Sequence, residues 1–509
     1  MSFHVHRTAI SLAPLALACA CTLTQAADID PQVLAAARQE GAADVLIFLA
    51  DQSRPQLAPL AADADYRLRR RVLVDALRAR ADHQQADLRA WLDARDIPYR
   101  AFWISNAIRA RVPAAELSAL AARDGIARVA MDAAVPLALP QVRAAAAPQA
   151  PSAVEWGIER IRAPEVWADG HDGSGVVIAG QDTGYDWDHP ALKSHYRGWD
   201  GSSAIHDHNW HDAIHDASGN SCGNDAMEPC DDHGHGTHTA GTFAGGTGSN
   251  VIGVAPGAKW IGCRNMASGW GTPARYIECM EWFLAPTDLD GNDPDPDLAP
   301  HVINNSWGCP PEEGCTVGDE LADAVDTLVD AGIFFVASAG NDGSGGAGGC
   351  GTIFSPPAIH DSAFVVGSTT SSDRMSTFSS RGPVPGSALI RPDVSAPGSG
   401  IRSAVPGGGY GDMSGTSMAG PHVAGAAALV MSANPALQGN PVAVAQILRE
   451  TAVPIDTQGQ SCGGIGADEW PNHVAGYGRI DAYAAVMAAM AYVDDGIFED
   501  GLDGAPGAP

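Results

Sequence analysis

Short apolar runs closed by turn residues recur along most of the chain. Val176-Val177-Ile178 leads into Ala179-Gly180-Gln181-Asp182-Thr183-Gly184, and Val302-Ile303 leads into Asn304-Asn305-Ser306-Trp307-Gly308. A third run, Ile333-Phe334-Phe335-Val336, passes through Ala337-Ser338-Ala339-Gly340 to Asn341-Asp342-Gly343. Continuous β-branched and aromatic runs of this length predict strands buried on both faces. Helical stretches fall between them, at residues 320–331 and 443–451, and an apolar, small-residue helix carries Val423-Ala424-Gly425-Ala426-Ala427-Ala428-Leu429-Val430. Strands alternating with helices predict an α/β domain over residues 149–493, a parallel sheet covered by helices on both faces. Sheets of this kind hold their sites at the carboxyl ends of the strands, where Asp182 falls.

The chain before residue 149 is patterned differently. Residues 1–26 join a start containing Arg7 to an apolar stretch from Ile10 to Leu23 and the small-residue end Thr24-Gln25-Ala26. That layout is a Sec-type signal peptide and predicts a secreted protein. Residues 27–148 read as a small α+β unit. Asp44-Val45-Leu46-Ile47-Phe48-Leu49 is a strand, residues 69–93 an Arg- and Ala-rich helix, and residues 102–110 another strand. Val112-Pro113-Ala114-Ala115-Glu116-Leu117 opens a helix, and Ile126-Ala127-Arg128-Val129 follows. Ala144-Ala145-Ala146-Ala147-Pro148 has the composition of a linker, and residues 494–509 form an acidic, Gly-rich tail expected to be disordered. No apolar run after the signal reaches the ~18 residues of a membrane span.

Charge separates at the same boundary. Residues 27–150 hold 16 Arg and 15 acidic groups, whereas residues 151–509 hold 13 basic and 45 acidic groups, net −32. Such a balance argues against nucleic acid and anionic membranes as partners. It invites screening by cations. Asp288, Asp290, Asp293 and Asp295 form the most oxygen-rich loop, a candidate for structural calcium; without EF-hand spacing, a merely solvated loop is the competing reading. The segment 206–215, with four His, is read as a solvated insertion in preference to a metal site. Eight Cys follow the signal: Cys222, Cys230, Cys263, Cys279, Cys309, Cys315, Cys350 and Cys462. An even number in an exported chain points to disulfides, and Cys222–Cys230 and Cys309–Cys315 are the nearest pairs among about 105 connectivities.

The chemistry lies in three blocks. Ser417 sits in Gly415-Thr416-Ser417-Met418-Ala419-Gly420-Pro421-His422, at the entry to the small-residue helix, where free N–H groups and the helix dipole favour a developing negative charge. A Ser in that position is commonly only a helix cap. Two other groups give it a different meaning. Asp182 ends a buried strand, and His235 lies in Asp232-His233-Gly234-His235-Gly236-Thr237-His238. The order Asp, His, Ser is that of subtilisin and not of α/β-hydrolases or chymotrypsin-type enzymes. With Asp182-Thr183-Gly184, His235-Gly236-Thr237-His238 and Gly415-Thr416-Ser417-Met418-Ala419, residues 150–490 resemble the subtilisin-like serine proteases.

That resemblance implies a secreted serine endopeptidase acting on proteins and peptides through an acyl-enzyme, with Asp182, His235 and Ser417 as the triad. It selects the first His of His-Gly-Thr-His and makes Asn341, in Ala339-Gly340-Asn341, the oxyanion donor. Ser306, Trp307 and Gly308 would form one wall of the substrate pocket, and Ser338, Ala339 and Gly340 the other; a core aromatic is the competing reading of Trp307. Residues 27–148 resemble the family's inhibitory propeptide, which would make the chain a zymogen and a monomer inhibited by its own N-terminal unit. Trp307-Gly308-Cys309-Pro310-Pro311, residues 378–383 and residues 391–398 suggest the bacillopeptidase-type branch. No cofactor is implied for catalysis. The long interval from Asp182 to His235 departs from the family pattern and implies a surface insertion. An esterase using the same triad and an inactive binding module are the alternatives.

Overall fold

The computed structural model describes residues 27–52, 65–140, 143–144, 154–344 and 349–493. The expected signal peptide, most of the expected linker and the acidic tail lie outside the described residues.

Residues 27–131 build an α+β unit around one five-stranded sheet, ordered Asp28–Ile29, Ile126–Met131, Ala42–Leu49, Ala107–Pro113, Tyr99–Phe102. Ile47 pairs with Ile108 on one side and Val129 on the other. These residues join Val45, Val112, Leu92 and Val33 in one core, while Leu46, Leu73 and Phe102 enter a second core shared with the larger unit. The single strand expected over 102–110 is instead a hairpin. It turns at residues 103–106, where Asn106 has φ 42° and its side-chain amide donates to the Asp51 carbonyl (2.9 Å). Asn tolerates this left-handed geometry, and a buried amide spent on the backbone holds the turn. The expected helix 69–93 is divided into Tyr66–Gln84 and Ala86–Asp93.

The larger unit contains a seven-stranded sheet, every neighbouring pair parallel. Its order is Val394–Pro397, Phe364–Thr369, Phe334–Ser338, Val302–Asn305, Val177–Asp182, Lys259–Arg264, Trp210–Asp212. Alternate residues of the central strands enter two different cores. Ile178, Val302, Phe334, Val336 and Val366 pack under the helices His235–Ala244 and Thr416–Ala433. Ala179, Ile303, Phe335 and Val365 pack on the opposite face, under Pro273–Leu284 and Ala322–Asp330. Apolarity at both parities of each strand is the physical reason for helices on both faces.

The interval between Asp182 and His235 is not wholly a surface insertion. Its Trp210–Asp212 segment joins the sheet as an edge strand, parallel to Lys259–Arg264, with Trp210 fully buried. Nor is the His-rich segment merely solvated. His211 and His215 each bring Nε2 to 2.9 Å from Glu278 Oε1. Burial alone would raise the Glu278 carboxyl; the hydrogen bonds from the two imidazoles, together with the charge of Arg100, outweigh it and hold the group well below the usual carboxylate range.

Four disulfides join Cys222–Cys230, Cys263–Cys279, Cys309–Cys315 and Cys350–Cys462. The last spans 112 residues and closes the longest loop. Replacing both its Cys by Ser is expected to destabilise the fold by about 3–5 kcal/mol, since the unfolded chain regains that loop's freedom. Denaturant titration of the double variant against the parent checks this, and an unchanged midpoint would count against it.

Candidate active site

Asp182 is the last residue of its strand and is buried. Its Oδ1 accepts the Thr183 N–H (2.7 Å) and lies 2.7 Å from His235 Nδ1. A carboxylate only accepts, so Nδ1 carries the imidazole proton and Nε2 is left basic. His235 is the first residue of helix His235–Ala244, entered through Gly234 at φ 98°. Among the described residues its Nε2 has no hydrogen-bond partner.

Ser417 is the second residue of helix Thr416–Ala433, which packs along the His235 helix. The two approach closely: a Cβ on Gly425 would lie 2.9 Å from the Phe243 carbonyl oxygen. Both helices begin at the end of the sheet where Asp182 emerges. The Ser417 hydroxyl donates to the Ser306 carbonyl (3.1 Å), and the Ser306 hydroxyl donates to the Ser417 carbonyl (2.9 Å). Pro421 explains the second bond. It has no N–H to give the carbonyl four residues back, and Ser306 satisfies that carbonyl instead.

Asn341 Oδ1 accepts from the Thr416 N–H (2.9 Å) and the Thr416 hydroxyl (3.1 Å). Two donors on one side assign the oxygen there and leave Nδ2 as the donor end of the amide, and both atoms lie beside Gly415, 3.6 and 3.5 Å from where a Cβ on that residue would sit. Gly340, at φ 102°, makes the turn that brings Asn341 over this helix start.

The other two His of the block are differently placed. His238 is buried, with Nε2 2.9 Å from the Ile401 carbonyl and 3.1 Å from that of Gly411. Burial lowers its pKa to about 3, so it is a neutral structural donor. Burial also lowers His233.

The expected pocket residues divide. Trp307 points into the core: it stacks on Tyr276, centroids 3.9 Å apart at 12°, and its Nε1–H donates to the Gln181 carbonyl (3.0 Å). This is the core aromatic, so its side chain forms no part of the pocket wall. The Ser306 and Ser338 hydroxyls also turn away, 3.8 and 3.3 Å from where a Cβ on Gly420 would sit. Ala339 is buried, while Gly308 and Gly340 are half-buried.

The acidic loop does not gather its carboxylates. Asp288 Oδ1 accepts the N–H groups of Asp290 (3.1 Å) and Asn292 (2.6 Å), and Asp295 Oδ1 accepts that of Asp297 (2.9 Å). Asp293, at φ 51°, contributes its carbonyl to His208 Nε2 (2.9 Å). Among the described residues no group of three His, Cys, Asp or Glu could hold a metal ion. Short-range capping competes for these oxygens, which composition alone does not reveal.

One element of the site was missed in the sequence. Val135–Pro136 pairs antiparallel with Trp270–Gly271, and the Leu137 N–H donates to the Gly269 carbonyl (3.0 Å). Pro140 Cγ lies 2.7 Å from where a Cβ on Gly415 would sit, and Arg143–Ala144 pairs antiparallel with Gly411–Asp412. Residues 135–140 and 143–144 therefore lie against the front of the Ser417 helix. The glycines flanking Trp270 were the available signal, as they allow a second backbone to approach.

A model of the Subtilase family matches residues 173–478. Bacillopeptidase F of Bacillus subtilis (strain 168) is 41% identical over 355 residues, which are 69% of this chain and 23% of that protein. Subtilisin E of the same organism is 37% identical over 284 residues, 55% of this chain and 62% of that protein. Subtilisin Savinase of Lederbergia lenta is 35% identical over 306 residues, 59% of this chain and 92% of that protein. The matched region thus spans less than two thirds of the first two relatives.

Proposed function

The chain belongs to the Subtilase family, and from that premise we propose that it is a secreted serine endopeptidase made as a zymogen. The observation that carries the reading is the buried Asp182–His235 pair at 2.7 Å, at the start of the helix packed beside that of Ser417. Substrate binding turns the Ser417 hydroxyl from the Ser306 carbonyl to His235 Nε2. Its oxygen attacks the peptide carbonyl, and the proton passes to Nε2 and then to the leaving amine. Asp182 holds the tautomer and stabilises the imidazolium. Asn341 Nδ2 and the Ser417 N–H receive the oxyanion, and water releases the acyl group. Casein hydrolysis by the processed enzyme is the primary test; an inert enzyme that cleaves only small esters would favour the esterase alternative.

Asn341→Ala is expected to lower kcat by about 10²–10³ with little change in KM, because the donor acts on charge that develops only in the transition state. Steady-state kinetics on a peptide substrate checks it; a loss confined to KM would remove Asn341 from the oxyanion role.

The zymogen reading is supported by the pairing of Val135–Pro136 and Arg143–Ala144 with strands of the larger unit, and by contacts such as the Ile104 N–H on Glu281 Oε2 (3.0 Å). The N-terminal unit then inhibits the cleft until cleavage. Four disulfides agree with export, and among the described residues no helix is long and apolar enough to cross a membrane. Structural calcium would have to lie elsewhere than the self-capped 288–295 loop. Repulsion among the acidic groups predicts a Tm that rises with NaCl, and melting with and without a chelator at fixed ionic strength reads any bound calcium separately.

A further inference from the structure

His235 must keep one imidazole edge on Asp182 while its helix starts from a loop, and helix starts leave N–H groups without internal partners. Those N–H groups are satisfied from outside the helix. The Gly236 N–H donates to Thr183 Oγ1 (3.0 Å) and the Thr237 N–H to Asp231 Oδ2 (3.0 Å). The Thr237 hydroxyl also donates to Asp231 Oδ2 (2.6 Å). Asp231 Oδ1 accepts the N–H groups of His233 (3.0 Å) and Gly234 (2.8 Å) and the hydroxyl of Thr183 (2.9 Å). An ordinary helix cap would touch only its own helix. Asp231 also holds Thr183, the residue after Asp182.

The direction of each bond matters. A threonine hydroxyl has one proton. Thr183 spends it on Asp231, which turns its lone pairs to the Gly236 N–H beside His235. The same residue's N–H is on Asp182 Oδ1 (2.7 Å). A closed circuit thus runs from Asp182 through Thr183 to the His235 helix and back through the imidazole. Asp231 is itself fixed: it bridges Gly184 across two antiparallel segments, and the preceding Cys230 is disulfide-bonded to Cys222. Gly184 has no alternative there, with φ 108° and the Cys230 carbonyl 1.8 Å from where a Cβ would sit.

We infer that Asp231 is a positioning residue of the proposed hydrolysis, setting His235 against Asp182 through Thr183 and the N–H groups around His235. The inference rests on the protease reading above. In the full chain matured by prolonged incubation, with active sites counted by a serine-directed phosphonate, Asp231→Ala should lower kcat about 30–100-fold with KM within about threefold. The acid limb of its kcat/KM profile should move to lower pH, since a slackened carboxylate stabilises the imidazolium less. Thr183→Val leaves the Asp231 charge in place, so its expected loss of about tenfold reports geometry and not field, and Thr183→Ser should recover most of it. The inference is overturned if kcat per titrated site stays within about twofold of wild type in both Asp231→Ala and Thr183→Val. It is also overturned if kcat falls with the acid limb unmoved, or if Thr183→Val is silent while Asp231→Ala is not. A wild-type enzyme that titrates no phosphonate and leaves casein intact would instead sink the protease reading itself.

Discussion

Ser417→Ala is expected to lower protein hydrolysis by about a millionfold, because attack by the serine oxygen and the acyl-enzyme step both vanish with it. Residual hydrolysis of about 10³–10⁴ over water should persist, from the oxyanion donors and substrate binding. The fold should tolerate the change. Among the described residues Ser417 Oγ makes a single hydrogen bond, to the Ser306 carbonyl, so the stability difference should be about 1 kcal/mol. Both forms, processed by an added protease that is then inactivated, are assayed on casein and melted in parallel to give both numbers. Equal activity in the variant would sink the protease reading. The same variant probes processing: with no other protease present, the precursor should remain a single band, and efficient cleavage would exclude self-processing as the required route.

Asp182→Asn is expected to cost about 10⁴-fold in kcat while leaving KM and the fold close to the parent's. The side chains are nearly isosteric, but Asp182 Oδ1 already receives two donors, the Thr183 N–H and His235 Nδ1. An amide oxygen in the place of Oδ1 keeps both bonds but carries no charge to stabilise the imidazolium that forms when His235 takes the Ser417 proton. Peptide hydrolysis measured from acid to alkaline pH checks this. A loss below about tenfold would show that the reaction does not depend on the negative charge of Asp182.

Much of this site was legible because its parts are local. A buried strand ending in Asp182, a glycine turn before Asn341 and a small-residue helix start at Ser417 are each set within about ten residues by backbone geometry. The doubly covered sheet was legible for a similar reason, as apolarity at both parities of a strand needs no knowledge of its neighbours. The two short disulfides belong here too. Cys263–Cys279 and Cys350–Cys462 do not, since the first ties a strand to the following helix and the second joins segments 112 residues apart.

Other features depended on what lies across the molecule. The 102–110 run has strand composition but turns at Asn106, whose side chain meets Asp51. Trp307 carries no sign of its direction; the face of Tyr276 and the Gln181 carbonyl decide it. The aspartates of 288–295 were read as a calcium candidate set against a solvated loop, and the loop's path turned the Asp288 carboxylate to its own backbone.

The sequence by itself determined which chemical groups the chain has and in what order, with three His within six residues around His235. The resemblance pointed to His235, and the tertiary structure supplied the physical reason. His238 was buried against two carbonyl oxygens, and His235 was bonded to Asp182. Motif spacing carries the kind of group; packing of strands and helices distant in sequence carries its partner, and a partner is what makes an imidazole a base or a structural donor.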